Sequence, residues 1–248
     1  MGLSLSDSPQ IRDRARPPIS CIAQKTVIGL DRARAFTAAI HNIQRSEGLW
    51  LAQHPFVQAV RKGSAGRGDL ARWARQIYCV TKTYGAILQS MNPQPPVGIW
   101  IDPWRDLELL VKLGGALGIE RRDMKILEPN LVTRRVQVWL QHRLTTRSRH
   151  IAAQVCWALM EAMSPETGVY LAQGTAKHFG LKSKQLEYFR IGMRSRRRAD
   201  QYSANLLTRI AVSRWDSVQE EALLLSRLMF QLYESVGDMR CIHVAQKR

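Results

Sequence analysis

Glu161 is the carboxylate whose sequence surroundings most suggest chemistry. It follows the apolar stretch Val155-Cys156-Trp157-Ala158-Leu159-Met160. A carboxylate buried among such side chains must be paired with a cation or hold a proton, because burial disfavours its charged form. Glu161 is therefore a candidate catalytic residue with a perturbed pKa. The alternative is a salt bridge to an arginine of a neighbouring helix.

Arginines form the densest charge cluster of the chain. Most of its members share one helical face, namely Arg190, Arg194, Arg197 and Arg198. Arg196 points elsewhere, so one guanidinium can reach an anionic ligand while the others stay in solvent. We therefore expect Arg190, Arg194 and Arg196 to be ligand-binding residues. A fully solvated face is the alternative.

Tyrosines and one histidine are further candidates for lining a pocket. The tyrosines in question are Tyr78, Tyr84, Tyr188 and Tyr202. Tyrosines at helical spacing also occur at the edge of a core with the hydroxyl in water. His54 is a candidate ligand contact, and the alternative is a place at the start of a helix, since Pro55 follows it.

The overall charge favours anionic partners. The chain of 248 residues has 37 Lys plus Arg against 20 Asp plus Glu, a formal net charge of +17. Such a balance suits nucleic acid, acidic metabolites or an acidic protein. A second basic cluster contains Arg134, Arg135, Arg143, Arg147 and Arg149. No nucleic-acid-binding motif accompanies these clusters, and a solvated cationic surface is the alternative.

Composition also constrains the compartment. No apolar run reaches the roughly 18 to 20 residues that a transmembrane helix needs. The four cysteines show no paired spacing, which argues against a zinc site or a disulfide framework and favours a cytoplasmic protein with reduced, buried thiols. Residues 1–30 lack a secretory signal and are predicted to be a disordered or extended leader, with Gly2 leaving lipidation open.

Apolar residues at three- and four-residue spacing predict helices throughout the rest of the chain. The predicted helices span 31–46, 49–62, 68–91, 103–117, 130–147, 149–175, 183–212 and 215–236. Asp102 and Asn130 are predicted helix starts because their side chains can accept hydrogen bonds from free amides. The prediction is a single all-α domain over 31–238, a compact bundle of seven to eight helices, followed by a tail over 239–248.

Three segments, taken in order, resemble the heme-oxygenase-like superfamily, which includes the PqqC and TenA proteins and related diiron oxidases. They are QHPFVQAV at 53–60, ALMEAMSPETG at 158–168, and KHFGL at 177–181 running into LEYFR at 186–190. The resemblance spans roughly residues 48 to 236. It implies a helical bundle, usually a homodimer, with a pocket between the helices.

The diiron members hold metal through glutamates and histidines on early and middle helices and a His, Asp and His on a late helix. Glu161 matches the middle glutamate. The late-helix positions are occupied by Gly192, Arg196 and Ala199, and the early histidine position by Asp102. A guanidinium repels a metal ion and supplies no lone pair. We therefore expect no cofactor, with iron the disfavoured alternative.

The cofactor-free PqqC proteins combine arginines that hold a polycarboxylate with histidines and tyrosines that handle protons. Arg75, Tyr78 and Tyr188 align with positions of that kind, which makes both tyrosines candidate catalytic residues and Arg75 a candidate ligand contact. The next catalytic arginine is Gly192 here, so the same oxidation is not expected. TenA relatives use a cysteine nucleophile, and Cys156 lies near that region.

Three hypotheses follow. The first is a divergent PqqC/TenA-like protein that binds an anionic small molecule, as a metal-independent biosynthetic enzyme with Glu161 as proton acceptor. The second is a non-catalytic paralogue that acts as a partner subunit and stabilises an active relative or another protein. In either case we expect a homodimer or a heterodimer with a related protein. The third is a nucleic-acid-binding protein that uses its basic surface. An iron-dependent oxidase is the least favoured, and whether the chain is an enzyme stays open.

Overall fold

The protein is all-helical over the part that the structure describes, which confirms the predicted fold class. The computed structural model describes residues 19–91, 102–146, 149–193 and 196–237, with side chains over 29–91, 102–146, 149–190 and 199–237. The α-helices are α1 Ile19–Ser46, α2 Pro55–Lys62, α3 Arg67–Ser90, α4 Pro103–Ala116, α5 Arg121–Lys125, α6 Leu131–Thr145, α7 His150–Glu161, α8 Ser164–Phe179, α9 Glu187–Met193, α10 Arg196–Leu207 and α11 Trp215–Glu234. Short 3₁₀ turns precede α2, α9 and α11.

Side-chain caps set the starts of two helices, as the sequence predicts. Asp102 accepts hydrogen bonds from the amides of Trp104 and Arg105 at the start of α4. The Asn130 side chain accepts one from the Thr133 amide at the start of α6, at 2.8 Å. Such bonds satisfy amides that have no partner within the helix.

Three predicted helices are divided in the structure. The predicted helix over 149–175 breaks between Glu161 and Ser164, because Pro165 opens α8 and cannot continue α7. The helix predicted over 49–62 starts instead at Pro55. The helix predicted over 183–212 becomes a 3₁₀ turn, α9 and α10. Apolar periodicity continues across all three breaks, which is why the pattern did not show them.

The first helix starts earlier than predicted. α1 begins at Ile19, within the segment assigned to a leader, and its apolar residues recur at helical spacing from there onward. The remaining leader, with Gly2, and the tail over 239–248 lie outside the described residues. None of the helices in the described ranges is long and apolar enough to cross a membrane.

The core lies around α3 and α7. α3 packs against α4 and α6, and α7 packs against α10 and α11. The largest fully buried side chains are Trp50, Trp73, Phe56 and Ile40 together with several leucines. The two cysteines whose side chains are described, Cys79 and Cys156, are buried and unbridged, as predicted.

Gly174 sets how closely α8 approaches α2. A Cβ at position 174 would overlap the backbone carbonyl of Val60 and lie 2.8 Å from the Cα of Arg61. These are backbone atoms, so they cannot rotate away as a side chain could. Because α8 also lines the cavity described below, this close approach helps to position the cavity.

We expect the Gly174→Ala substitution to lower the free energy of unfolding by about 2 kcal/mol, because the added methyl group forces the two helices apart. Gly115→Ala is the matched control, since its Cβ would meet no atom within 4 Å. The control should leave stability unchanged or raise it by up to about 1 kcal/mol, because alanine favours a helix. Urea unfolding at equilibrium measures both changes, and equal stability of the two variants would contradict the role of Gly174.

Candidate functional site

A cavity of about 110 Å³ lies between α3, α4, α7, α8, α9 and α11. α3 supplies one side through Trp73, Ile77, Val80 and Tyr84, which recur at helical spacing on a single face. Aromatic side chains continue around it: Tyr84 is stacked on Trp157, with ring centroids 4.5 Å apart, and Trp73 lies 5.8 Å from Phe189. The cavity is thus lined mainly by rings and aliphatic groups.

Two carboxyl groups face this apolar space, Asp106 of α4 and Glu161 at the end of α7. Burial and the neighbouring Asp106 raise the pKa of Glu161 to about 7, against a smaller opposing effect of the hydrogen bond from the Ser164 hydroxyl. Burial, with a contribution from Asp102, raises the pKa of Asp106 to about 6, against the opposing charge of Arg105. At neutral pH the pair therefore holds and releases protons readily.

Three phenols share the cavity with these carboxyls, those of Tyr84, Tyr188 and Tyr233. Burial raises the pKa of all three, and the charge of Glu161 adds to the effect on each. They consequently stay protonated at physiological pH and act as hydrogen-bond donors. The lining thus combines neutral donors with an acid–base pair.

One tryptophan in the lining, Trp157, has no hydrogen-bond partner for its indole nitrogen. Trp157 is only 4% exposed, and its Nε1 has no partner among the described residues. A buried donor without a partner costs folding free energy, on the order of 1–3 kcal/mol. A ligand with a hydrogen-bond acceptor in the cavity would recover that cost.

The structure brings two of the predicted site residues, Glu161 and Tyr188, into the cavity. Tyr78 and Tyr202 lie elsewhere. Tyr78 is buried on α3 away from the cavity, and the Tyr202 hydroxyl donates to Gln154 at 3.1 Å between α10 and α7. Tyr84, considered only as a pocket residue, is part of the lining.

His54 lies at the start of a helix, which was the alternative to a ligand contact. It precedes α2, and its Nδ1 accepts a hydrogen bond from the Phe56 amide at 3.0 Å. Burial lowers the pKa of His54 to about 4, so the ring is neutral at physiological pH. It packs behind Tyr233, with ring centroids 5.6 Å apart, and does not line the cavity.

The predicted arginine contacts to a pocket ligand are not found among the described residues. The cavity lining described here contains no Arg, Lys or His side chain. Arg75 lies on another face of α3, and Arg190 is exposed and donates to Ser183. Arg194 and the side chain of Arg196 lie outside the described residues.

Cys156 does not serve as a nucleophile toward this cavity. Its thiol is buried against the Val218 carbonyl, 3.6 Å away, and is not part of the lining. Burial raises the pKa of the Cys156 thiol far above its ordinary value, chiefly through desolvation. A thiol that stays protonated is a poor nucleophile.

Asp106 and Tyr233 line the cavity, although the sequence did not predict either as a site residue. A signal was present, since Asp106 follows the helix-start residue Asp102 by one turn and precedes the buried Leu107 and Leu110. Its meeting with Glu161 depends on how α4 packs relative to α7, which the sequence pattern of neither helix reveals.

The described donor set does not fit the diiron centre that some members of the superfamily hold. Asp106 and Glu161 are the only carboxyls of the described lining, and no imidazole accompanies them. Over the described ranges, no three His, Cys, Asp or Glu side chains come together as metal ligands. A diiron site needs about six such donors.

The raised pKa of Glu161 predicts that stability falls as pH rises. The folded state holds the proton more tightly than the unfolded state, so stability is full below about pH 4.5 and declines until the pH passes about 7. We expect Glu161→Gln to match the wild type at pH 5 and to exceed it at pH 8 by on the order of 2 kcal/mol. Urea unfolding at both pH values measures this. Glu128→Gln, on an 89% exposed side chain, should show no such pH-dependent gain.

Comparison with known proteins supports the fold alone. No family model and no curated protein sequence matches the chain. A TenA homolog from Pseudomonas syringae shares 10% identity at a TM-score of 0.63, covering 89% of this chain and 92% of that one. Heme oxygenase-1 from Synechocystis, solved in complex with heme, shares 13% identity at a TM-score of 0.61, covering 88% and 96%. The chain therefore shares the all-helical fold of these two proteins, which confirms the fold that the sequence resemblance implied.

Proposed function

We propose that the cavity binds a small, planar nitrogen base and that Glu161 exchanges a proton with it, without a metal ion. The observation that carries the proposal is the Asp106–Glu161 pair, set in an aromatic cavity whose described lining has no cationic side chain. A cationic or protonatable ligand would supply the missing positive charge, because an ion pair in a cavity of low dielectric is strong.

The aromatic lining supports a planar ligand. The stacked Tyr84–Trp157 pair and the rings of Trp73 and Phe189 offer flat surfaces, and an aromatic ring also attracts a cation over its face. The indole N–H of Trp157 can donate to a ring nitrogen or an oxygen of the ligand. The charge, the shape and the hydrogen-bonding groups of the cavity thus all favour a planar nitrogen base.

The size of the cavity limits the ligand to about one small ring. An apolar cavity of ~150 Å³ in another protein holds benzene, and the cavity here measures about 110 Å³. A porphyrin is several times larger than benzene. The heme bound by the Synechocystis protein is therefore not the ligand that this lining fits.

The anionic ligand expected from the sequence is the competing proposal. It needs guanidinium groups in the cavity, and neither Arg75 nor Arg190 lines it. The carboxyls of Asp106 and Glu161 would repel an anion once ionised. A TenA-like pocket protein remains the class that the fold supports, with a ligand of the opposite charge.

The predicted homodimer, the pairing with a related chain and the cytoplasmic location stay predictions. One observation favours association with another chain. Leu131 and Val138 are exposed by 68% and 55% and lie two turns apart on α6. Exposed apolar residues on one face of a helix favour a protein contact.

Benzamidine and benzoate test the sign of the ligand charge, because they match in size and differ in charge. We expect benzamidine to bind in isothermal titration calorimetry and to bind at least about tenfold more tightly at pH 8 than at pH 5, since both carboxyls ionise over that range. Glu161→Gln and Asp106→Asn should each weaken binding at pH 8 and reduce its pH dependence. Glu128→Gln is the exposed control. Tighter binding of benzoate, or benzamidine binding that neither cavity variant alters, would refute the proposal.

A further inference from the structure

We propose that a second site, separate from the cavity, binds a phosphoryl group. The site is a cleft of about 270 Å³ between α6, α7 and α11, hereafter the arginine cleft. Arg143, Arg149 and Arg214 line it, together with Ser217 and one carboxylate, Glu221. It shares no lining residue with the cavity, although α7 and α11 contribute to both.

The arginines of the cleft are arranged to present a guanidinium. Glu221 binds Arg143 at 2.7 Å and also accepts a hydrogen bond from the Trp139 indole at 3.2 Å, so its oxygens are engaged. This pair is mostly buried, with side chains 26% and 23% exposed, which holds Arg143 in place at the edge of the cleft. Arg149 is exposed to solvent beside it.

Two helices begin at the cleft, and each has an arginine at its N-cap, where a positive charge is unfavourable. Arg149 is the N-cap of α7 and Arg214 is the N-cap of α11, and neither side chain caps its helix. Helix N-termini carry a partial positive charge and normally start with Ser, Thr, Asp or Asn. The first turn of α7 has no acidic residue, and that of α11 has only Asp216.

An anion would relieve this concentration of positive charge. Arginines bind the oxygens of a phosphoryl group through charge-assisted, often bidentate hydrogen bonds. The floor of the cleft is formed by Ala153 and Val218, which are buried and leave space above them. A concave site of this size suits a phosphate ion or the phosphate of a small molecule better than an extended nucleic-acid strand.

The test is titration of the full chain with inorganic phosphate by calorimetry, at an ionic strength held constant with sodium chloride. We expect saturable binding. Arg149→Gln and Arg214→Gln should each weaken it roughly tenfold, the loss of one charge-assisted hydrogen bond. Both side chains are exposed, so these variants should fold like the wild type.

Two further variants distinguish phosphate binding at the arginine cleft from a general effect of the positive charge of the protein. Arg135→Gln removes the same charge from an exposed position on α6 outside the cleft, and we expect phosphate affinity to stay within about twofold. Glu221→Gln keeps an acceptor for Trp139 and removes the competing charge, so we expect phosphate to bind several-fold more tightly.

Three results would overturn the proposal. The first is no saturable phosphate binding by the wild type. The second is an equal loss of affinity in Arg135→Gln and Arg149→Gln, which would indicate that phosphate responds to the overall positive charge and not to a specific site. The third is tight binding of a single-stranded DNA oligonucleotide through these arginines while phosphate alone does not bind, which would assign the cleft to a nucleic-acid surface.

Discussion

A carboxyl group removed from water must either hold a proton or meet a positive charge, and Glu161 meets this constraint by holding a proton. The described residues around it are rings, aliphatic chains, hydroxyls and a second carboxyl, so burial raises its pKa to about 7. The packing of α3, α4, α7, α8, α9 and α11 keeps both acids in this environment. Holding the two acids there costs folding free energy. A ligand that neutralises their charge would recover part of that cost on binding.

The charge of the molecule is divided between its inside and its outside. The chain carries a net charge of +17, yet the described lining of the cavity contains carboxyls and no cationic side chain. Arginines lie instead at the surface, among them the three that line the arginine cleft where α7 and α11 begin. The net charge thus describes mainly the surface, while the protonation of the two cavity carboxyls follows from their burial and from neighbouring carboxyl groups.

Local features of the fold could be predicted from the sequence, while contacts between helices could not. Asp102, Asn130 and His54 act at helix starts because each interacts with amides two or three residues away. Glu161 could be identified because its apolar neighbours adjoin it along the chain. Asp106 could not be identified from the sequence because its place in the cavity depends on how α4 packs beside α7. Arg75 and Arg190 do not line the cavity, which the sequence could not show, because a helical repeat indicates which residues share a face and not which face meets the cavity.

The stacking of Tyr84 on Trp157 has an optical consequence. Two of the seven tryptophans of the chain, Trp73 and Trp157, form part of the cavity lining, and one is in face contact with a tyrosine at 4.5 Å. Indole emission responds to the polarity and the ring systems in its immediate surroundings. A molecule that enters the cavity therefore alters the intrinsic fluorescence of the protein, so a collection of unlabelled compounds can be screened by that signal alone.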